Sequence, residues 1–210
     1  MKTIGIILRQ FSANFKGVEL YGVRTDLVTY LRNYDVNVIA IPVIFKGKDN
    51  EFEKVKKLVD LCDGIIFPGG IGICEMDCKL MKYCYDMDKP TLGLCLGMQI
   101  MGKTFNGRVE RLNNKNHNSD NEYVHKVKID KNSKLYEILH VEEISVNSRH
   151  DNYVYETELV CSAKSEEEVM EAVEDKSKKF FMGFQWHPES LENDENSKKI
   201  FDEFLKKINS

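Results

Sequence analysis

Apolar positions along the chain follow two periods. Residues 3–8 form a short continuous apolar run. Over 18–34 the apolar positions Leu20, Val23, Leu27, Tyr30 and Leu31 recur at helical spacing, and a second apolar run over 36–41 ends at Pro42. Residues 52–61 predict a charged amphipathic helix, 64–67 a third strand closing on Pro68, Gly69 and Gly70, and 75–85 another helix. The run 91–94 then passes directly into a helical pattern carried by Leu96, Ile100, Met101 and Phe105. Strands alternating with helices at this spacing predict right-handed crossovers and a mostly parallel sheet covered on both faces. Such a sheet binds its ligands at the carboxyl ends of its strands.

Beyond Gly107 the pattern changes. Residues 111–122 are polar, rich in Asn and without periodicity, which predicts a loop. Residues 123–129, 142–146, 158–163, 169–173 and 180–184 read as short strands, several of them alternating, and predict an antiparallel extension in the C-terminal half. Residues 193–208 close the chain as an amphipathic helix with Ile200, Phe204 and Leu205 inward. No repeat or linker interrupts the pattern, so residues 1–210 read as one domain.

The join at residue 95 is where chemistry enters. A strand that runs straight into a helix needs a sharp turn, and Cys95 stands at its apex between Gly93 and Gly97. Such an elbow strains the backbone of the nucleophile, and flanking glycines remove Cβ atoms that would clash with neighbouring backbone. At a helix N-terminus the dipole and the unpaired amide hydrogens favour thiolate over thiol. A cysteine in this place also fills space well beside a strand, so a nucleophile needs a base, an orienter and an oxyanion site elsewhere in the chain.

The base and orienter are legible in Gly183 to Glu189. An apolar strand runs out into His187, and Pro188 blocks helical continuation, so His187 and Glu189 can both project from an extended turn. An imidazole there takes the thiol proton and returns it to a leaving amine while the carboxylate holds its orientation. A lone His at a strand end would mean little, but its pairing with the elbow points to a site. Pro68, Gly69 and Gly70 end a strand with approachable amides, as an oxyanion requires. A plain turn is the other reading, whereas phosphate cradling lacks the Lys-Ser or Lys-Thr that should follow.

Composition narrows the class. The formal net charge of −4, with Lys and Arg interspersed among Asp and Glu, argues against general nucleic-acid binding. The N-terminal apolar run is too short for a signal peptide, and no segment approaches the ~18 apolar residues of a membrane helix, so a cytoplasmic protein is expected. Its 6 cysteines at irregular spacings then read as free thiols. Cys74, Cys78 and Cys84 have no His nearby and a helical spacing, which argues against metal ligation.

These residues resemble a known family. The elbow from Gly93 to Gln99, with Gln185 to Glu189, is similar to the class I (triad) glutamine amidotransferase superfamily, and within it to the branch of gamma-glutamyl-gamma-aminobutyrate hydrolases (peptidase C26). Pro68 to Gly70, Val146 to His150 and Glu171 to Glu174 add to the likeness, over nearly the whole length. The resemblance implies Cys95 as nucleophile, His187 as base and Glu189 as orienter. It implies the amides of Gly70 and Leu96 as oxyanion hole, and a role for Gln99 in placing a gamma-glutamyl group. Asn147, Ser148, Arg149 and His150 fall where that branch reads Asn-Ser-aromatic-His-His and lines its substrate pocket. Here Arg149 replaces the aromatic residue and Asp151 the second His, so the leaving group is where this chain departs. Arg149 is expected to meet an acidic part of the substrate or to salt-bridge Asp151.

The reading is a flavodoxin-like α/β domain that hydrolyses a gamma-glutamyl amide through a thioester at Cys95, with no metal or organic cofactor required. Its expected partner is a small-molecule gamma-glutamyl substrate, with no nucleic acid and no membrane, and a homodimer is compatible with the pattern. One alternative is a glutaminase subunit supplying ammonia to a separate synthetase, for which this chain has no room of its own. The polar 111–122 excursion and the Lys- and Glu-rich C-terminal helix offer no apolar docking patch, which favours the free-standing hydrolase. A second alternative is a non-enzymatic redox sensor, which would have no use for a general acid at His187.

Overall fold

Ile4, Ile6 and Ile7 leave β1 (Lys2–Ile7) little polar side to turn to water, and the strand is buried from Ile4 onward in the interior of the sheet. The computed structural model describes residues 1–12, 19–43, 51–112 and 117–209. After β1 a short hairpin, β2 (Arg9–Ser12) and β3 (Glu19–Gly22), precedes α1 (Thr25–Leu31) and β4 (Val36–Ile41). The chain continues through α2 (Glu51–Asp60), β5 (Gly64–Phe67), α3 (Glu75–Asp86), β6 (Thr91–Leu94), α4 (Leu96–Thr104) and β7 (Arg108–Arg111). The C-terminal half contributes β8 (His125–Ile129), α5 (Lys134–Leu139), β9 (Glu143–Val146), β10 (Asn152–Glu156), β11 (Val160–Ser165), β12 (Met170–Glu174) and β13 (Phe181–Phe184). A 3-10 turn at Pro188–Ser190 leads to α6 (Glu195–Ile208).

Nine strands form one sheet in the order β4-β1-β5-β6-β13-β12-β11-β8-β9. The first five are parallel and the last four pair antiparallel, as the two halves of the sequence pattern predict. Helices cover both faces. Leu27, Tyr30 and Leu31 of α1, Leu135 and Leu139 of α5, and Ile200, Phe201 and Phe204 of α6 pack with Ile4, Ile66, Leu92 and Phe184 on one side. Val55 and Val59 of α2, Leu80 and Met81 of α3, and Met98 and Met101 of α4 pack with Ile7, Ile65 and Phe67 on the other.

The register explains where a site can form. Phe67 pairs with Gly93, and Leu94 pairs with Phe184, so β5, β6 and β13 end side by side at their carboxyl ends. Their C-terminal extensions are therefore brought to one place: Pro68 to Gly70 from β5, Cys95 from β6, and Gln185 to His187 from β13.

Three elements depart from the sequence expectation. The helix expected over 18–34 is shorter. Residue 18 lies outside the described residues, 19–22 pair with β2, and the helix begins only at Thr25. Leu20, one of its expected apolar positions, is 48% exposed. Gly22 weakens a helix there, and the hairpin satisfies the backbone that a helical turn would have used. A second departure is α5, which the pattern did not show because it is only six residues long. Ser133 caps it by accepting from the Tyr136 amide, and Glu174 of β12 accepts from the Lys134 and Leu135 amides. The third is a separate two-stranded sheet of β7 and β10. Residues 113–116 of the expected 111–122 loop lie outside the described residues; its beginning belongs to β7, while 117–122 carry turns and an isolated bridge. The other strand and helix ends fall within one or two residues of expectation.

Candidate active site

Cys95 has φ 50° and ψ −100°, in the left-handed half of φ that a residue other than glycine rarely adopts. Its amide donates to the Phe184 carbonyl at 2.7 Å, which pins the elbow to the next strand. A Cβ on Gly97 would collide with the Phe67 carbonyl oxygen, and one on Gly93 would come within 2.8 Å of the Gly97 backbone. The two glycines let the turn pack hard against β5 and against itself. Cys95 is 7% exposed and lines a cavity of ≈ 490 Å³.

His187 and Glu189 converge as expected. His187 Nδ1 donates to Glu189 Oε1 at 2.7 Å, both side chains are buried, and Cys95 is among the groups that act on the imidazole. Burial works to lower the imidazole pKa, but the Glu189 charge and the Cys95 contact outweigh it and raise the value to about 10. A protonated imidazole in place next to a sulfur is suited to hold a thiolate and then to protonate a leaving amine.

Gly70 and Leu96 both line the cavity beside Cys95. The Gly70 amide makes no backbone hydrogen bond among the described residues. Leu96 is the first residue of α4, so its N–H has no acceptor within the helix. Beneath this loop, Arg9 is 1% exposed and forks onto both oxygens of Asp77, at 2.6 and 3.1 Å, while donating to the Gly72 carbonyl at 2.9 Å. The pair anchors the 70–72 turn to α3.

Gln99 lines the cavity and donates to the Asn152 carbonyl at 2.9 Å and to Gln185 Oε1 at 3.2 Å. Gln185 in turn points its amide at Cys95 Sγ, 3.6 Å away. Ser148 is fully buried and donates to the His117 carbonyl at 2.8 Å, so its hydroxyl is engaged in holding the loop. Arg149 lines the cavity, and its guanidinium donates to Ser190 Oγ, which donates to Asp26. Of the two partners expected for Arg149, an acidic group on a substrate or Asp151, the Asp151 salt bridge does not form among the described residues; Asp151 accepts from Asn118 Nδ2 at 2.8 Å. His150 borders the cavity, but Nδ1 donates to the Asn152 carbonyl at 3.0 Å and Nε2 faces Glu171, 3.8 Å away. Burial pushes its pKa down to about 4.

Sequence reasoning assigned no role to Arg9, Asp77 or Gln185, and it placed Asn147 only in a pocket-lining segment, not on the His187 backbone. Asn147 and Gln185 lie within the motifs that contain His150 and His187, so their neighbours were the available signal; Arg9 and Asp77 carried none.

The sequence model of the family described as glutamine amidotransferase class-I matches residues 18–207. The chain belongs to the class-I glutamine amidotransferase family. It is 33% identical over 184 residues to a CTP synthase of Thermotoga maritima, covering 68% of this chain and 35% of that protein. It is 31% identical over 167 residues to the glutamine-hydrolyzing GMP synthase of Lactobacillus johnsonii, covering 76% of this chain and 30% of that protein. The chain thus spans about a third of the length of these synthases. A glutamine amidotransferase-like protein of Rickettsia prowazekii is 24% identical over 248 residues, covering 83% of this chain and 87% of that one. Among solved structures, the glutaminase domain of Trypanosoma brucei CTPS superposes with a TM-score of 0.74 at 19% identity, covering 100% of this chain and 94% of that one, which shows the shared flavodoxin-like fold. No helix among the described residues is long and apolar enough to cross a membrane.

Proposed function

We propose that this class-I amidotransferase chain hydrolyses the γ-amide of glutamine and supplies the ammonia to an amination carried out by another domain or protein. The observation that carries the reading is the buried Cys95–His187–Glu189 arrangement at the cavity, beside the open amides of Gly70 and Leu96. Cys95 thiolate attacks the γ-carbonyl carbon, and the oxygen that becomes negative meets those two amides. Each such donor is typically worth about 3 kcal/mol in the transition state. His187 gives its proton to the leaving nitrogen, which departs as ammonia and leaves a γ-glutamyl thioester. The imidazole, now neutral, takes a proton from water as the water attacks the thioester carbonyl. Glutamate leaves, and the proton returns the Cys95–His187 pair to its starting state. Glu189 holds the ring and stabilises the imidazolium throughout.

The names of the relatives at 33% and 31% identity favour glutamine and a synthetase-linked role over the free-standing hydrolase that the polar surface suggested. A second reading keeps that hydrolase: the Rickettsia relative and this chain cover most of one another, and Arg149 and Asn118 form a polar wall where a substituent on the amide nitrogen would lie. The His187–Glu189 pair argues against a redox sensor, which has no need of a proton donor.

The experiment offers the purified chain glutamine and a panel of N-substituted γ-glutamyl amides, with hydroxylamine present to trap a thioester as the hydroxamate. Glutamine turnover with equal glutamate and ammonia, rising when a synthetase domain is added, supports the first reading. Turnover on the order of 1 per second on substituted amides alone, with glutamine inert, supports the second. Neither product nor hydroxamate from any of them overturns both.

A further inference from the structure

Three of the chain's 5 histidines lie away from the triad's imidazole and meet around one carboxylate. His117 stands in the turn before β8, His125 opens β8, His150 comes after β9, and Glu171 belongs to β12. One ring nitrogen of each histidine and a carboxylate oxygen of Glu171 all lie within 4.8 Å of one another. Glu171 Oε1 is 3.2 Å from His117 Nδ1, 3.6 Å from His125 Nε2 and 3.8 Å from His150 Nε2. None of these four atoms has a hydrogen-bond partner in good geometry, nor does Glu171 Oε2. Glu171 is fully buried, and the side chains of His117 and His150 are each 1% exposed.

The outward-facing nitrogens decide what the inward ones present. His117 Nε2 meets Glu167 Oε2 at 2.6 Å, His150 Nδ1 meets the Asn152 carbonyl at 3.0 Å, and His125 Nδ1 meets the Lys126 carbonyl at 3.3 Å. Carboxylate and carbonyl oxygens only accept, so each of these nitrogens carries the N–H. In the neutral rings, the three nitrogens aimed at Glu171 therefore hold lone pairs. Three lone pairs and a buried carboxylate converging without hydrogen bonds repel one another unless a metal cation or an added proton stands between them. An outer acceptor on the far nitrogen of every ring is also the usual support of a metal-bound histidine.

We propose that His117, His125, His150 and Glu171 form a site for a divalent transition-metal ion of the zinc class. Three imidazoles with one carboxylate suit zinc and its borderline neighbours and do not suit magnesium or calcium, which take oxygen ligands. With bonds of ~2.0–2.1 Å, a tetrahedral site separates its donors by roughly 3.3–3.5 Å, and the distances from Glu171 Oε1 are already near that. Four protein ligands leave no open position, so the ion is structural. It ties the 117–119 turn to the 147–150 loop, joined also by the His150 amide to the His117 carbonyl at 2.9 Å and the Ser119 amide to the Ser148 carbonyl at 2.9 Å. Asn118, Arg149 and His150 border the active-site cavity, so the metal holds one of its walls. The ligands lie up to 54 residues apart in sequence, from His117 to Glu171, which is why no short ligand motif announces them.

The test uses the full chain without an affinity tag, purified from zinc-supplemented culture. Elemental analysis is expected to find about one zinc per chain. After chelation, added zinc should raise Tm, and added Co2+ should give the visible bands of tetrahedral cobalt without a thiolate-to-cobalt charge-transfer band. His125→Ala and Glu171→Gln should each cut bound metal at least tenfold, whereas Cys95→Ser should keep it. His125 is partly exposed, so its variant reads the site even where Glu171→Gln does not fold. Wild-type protein with less than a tenth of an equivalent of metal and no Tm response to zinc or cobalt overturns the proposal in favour of protons shared within the cluster. A charge-transfer band, or metal retained in His125→Ala and lost in Cys95→Ser, overturns it in favour of a thiol site. None of these readouts depends on the activity.

Discussion

Asn147 holds the backbone of His187 from both sides. Its Nδ2 donates to the His187 carbonyl at 2.8 Å, and its Oδ1 accepts from the His187 amide at 2.8 Å. The asparagine is fully buried, so both bonds are made out of reach of water. Asn147→Ala leaves a buried N–H and C=O unpaired, at about 1–3 kcal/mol each. The expected outcome is a lower Tm with a kcat loss of about tenfold or more, since a misplaced imidazole misses both the thiol and the leaving nitrogen. Asn147→Asp keeps only the acceptor and should fall between. Full kcat in Asn147→Ala would show that Glu189 alone positions the ring.

Alkylation should single out Cys95 among the six thiols. Burial raises the pKa of Cys74 and of Cys161 to about 11, of Cys84 to about 12, and that of Cys62 above its ordinary value. Cys95 alone has an imidazolium beside it. Substoichiometric iodoacetamide followed by peptide mass spectrometry is expected to find Cys95 labelled first, and labelling should slow in His187→Ala. Cys62 or Cys161 labelled ahead of it in folded protein would sink the assignment of the nucleophile.

The Glu189 charge is the largest influence raising His187, from 6.5 to about 10 against the pull of burial. The alkaline limb of kcat/KM is therefore expected near pH 10 and should move toward neutrality in Glu189→Gln. His187→Ala should cost more, on the order of 10²–10⁴-fold, because proton transfer itself is lost. The same shift sets the sign for stability. The folded pKa lies above the unfolded one, so the pair's contribution is whole below pH 6.5 and is lost as pH rises through about 10. Urea unfolding measured across that window checks it; an unmoved alkaline limb in Glu189→Gln would remove Glu189 from this role.

Asp77→Asn tests the support beneath the loop proposed to bind the oxyanion. It removes one charge of a buried, bidentate pair with Arg9, a change that typically costs about 3–5 kcal/mol. Because Arg9 also holds the Gly72 carbonyl, the 70–72 turn loses its anchor. Where the variant remains folded, kcat should fall more than KM rises, as expected for donors that act in the transition state. A pure rise in KM would place the pair in substrate binding instead.

Features encoded by near neighbours were legible in the sequence. Gly93, Cys95 and Gly97 define their elbow within five residues, and Pro188 sets His187 and Glu189 on one turn, so the residues proposed as nucleophile, base and orienter could be named before any fold was known. Alternation of strand and helix likewise foretold the parallel half of the sheet, because βα crossovers bring sequential strands together. Tertiary structure decided what depends on strands distant in sequence lying side by side. The parallel pairing of Leu94 with Phe184 puts Gln185 at the Cys95 sulfur, and the clasp of Asn147 on His187 spans 40 residues (187 − 147 = 40). Competition for partners was decided there too. Leu20 fits a helix by spacing but lies in a hairpin, Asp151 takes Asn118 in place of Arg149, and His150 turns an imidazole nitrogen away from the cavity toward Glu171. Local backbone preference and side-chain periodicity act over a few residues, whereas hydrogen bonds and buried charges are satisfied by whatever the folded chain brings within 3 or 4 Å.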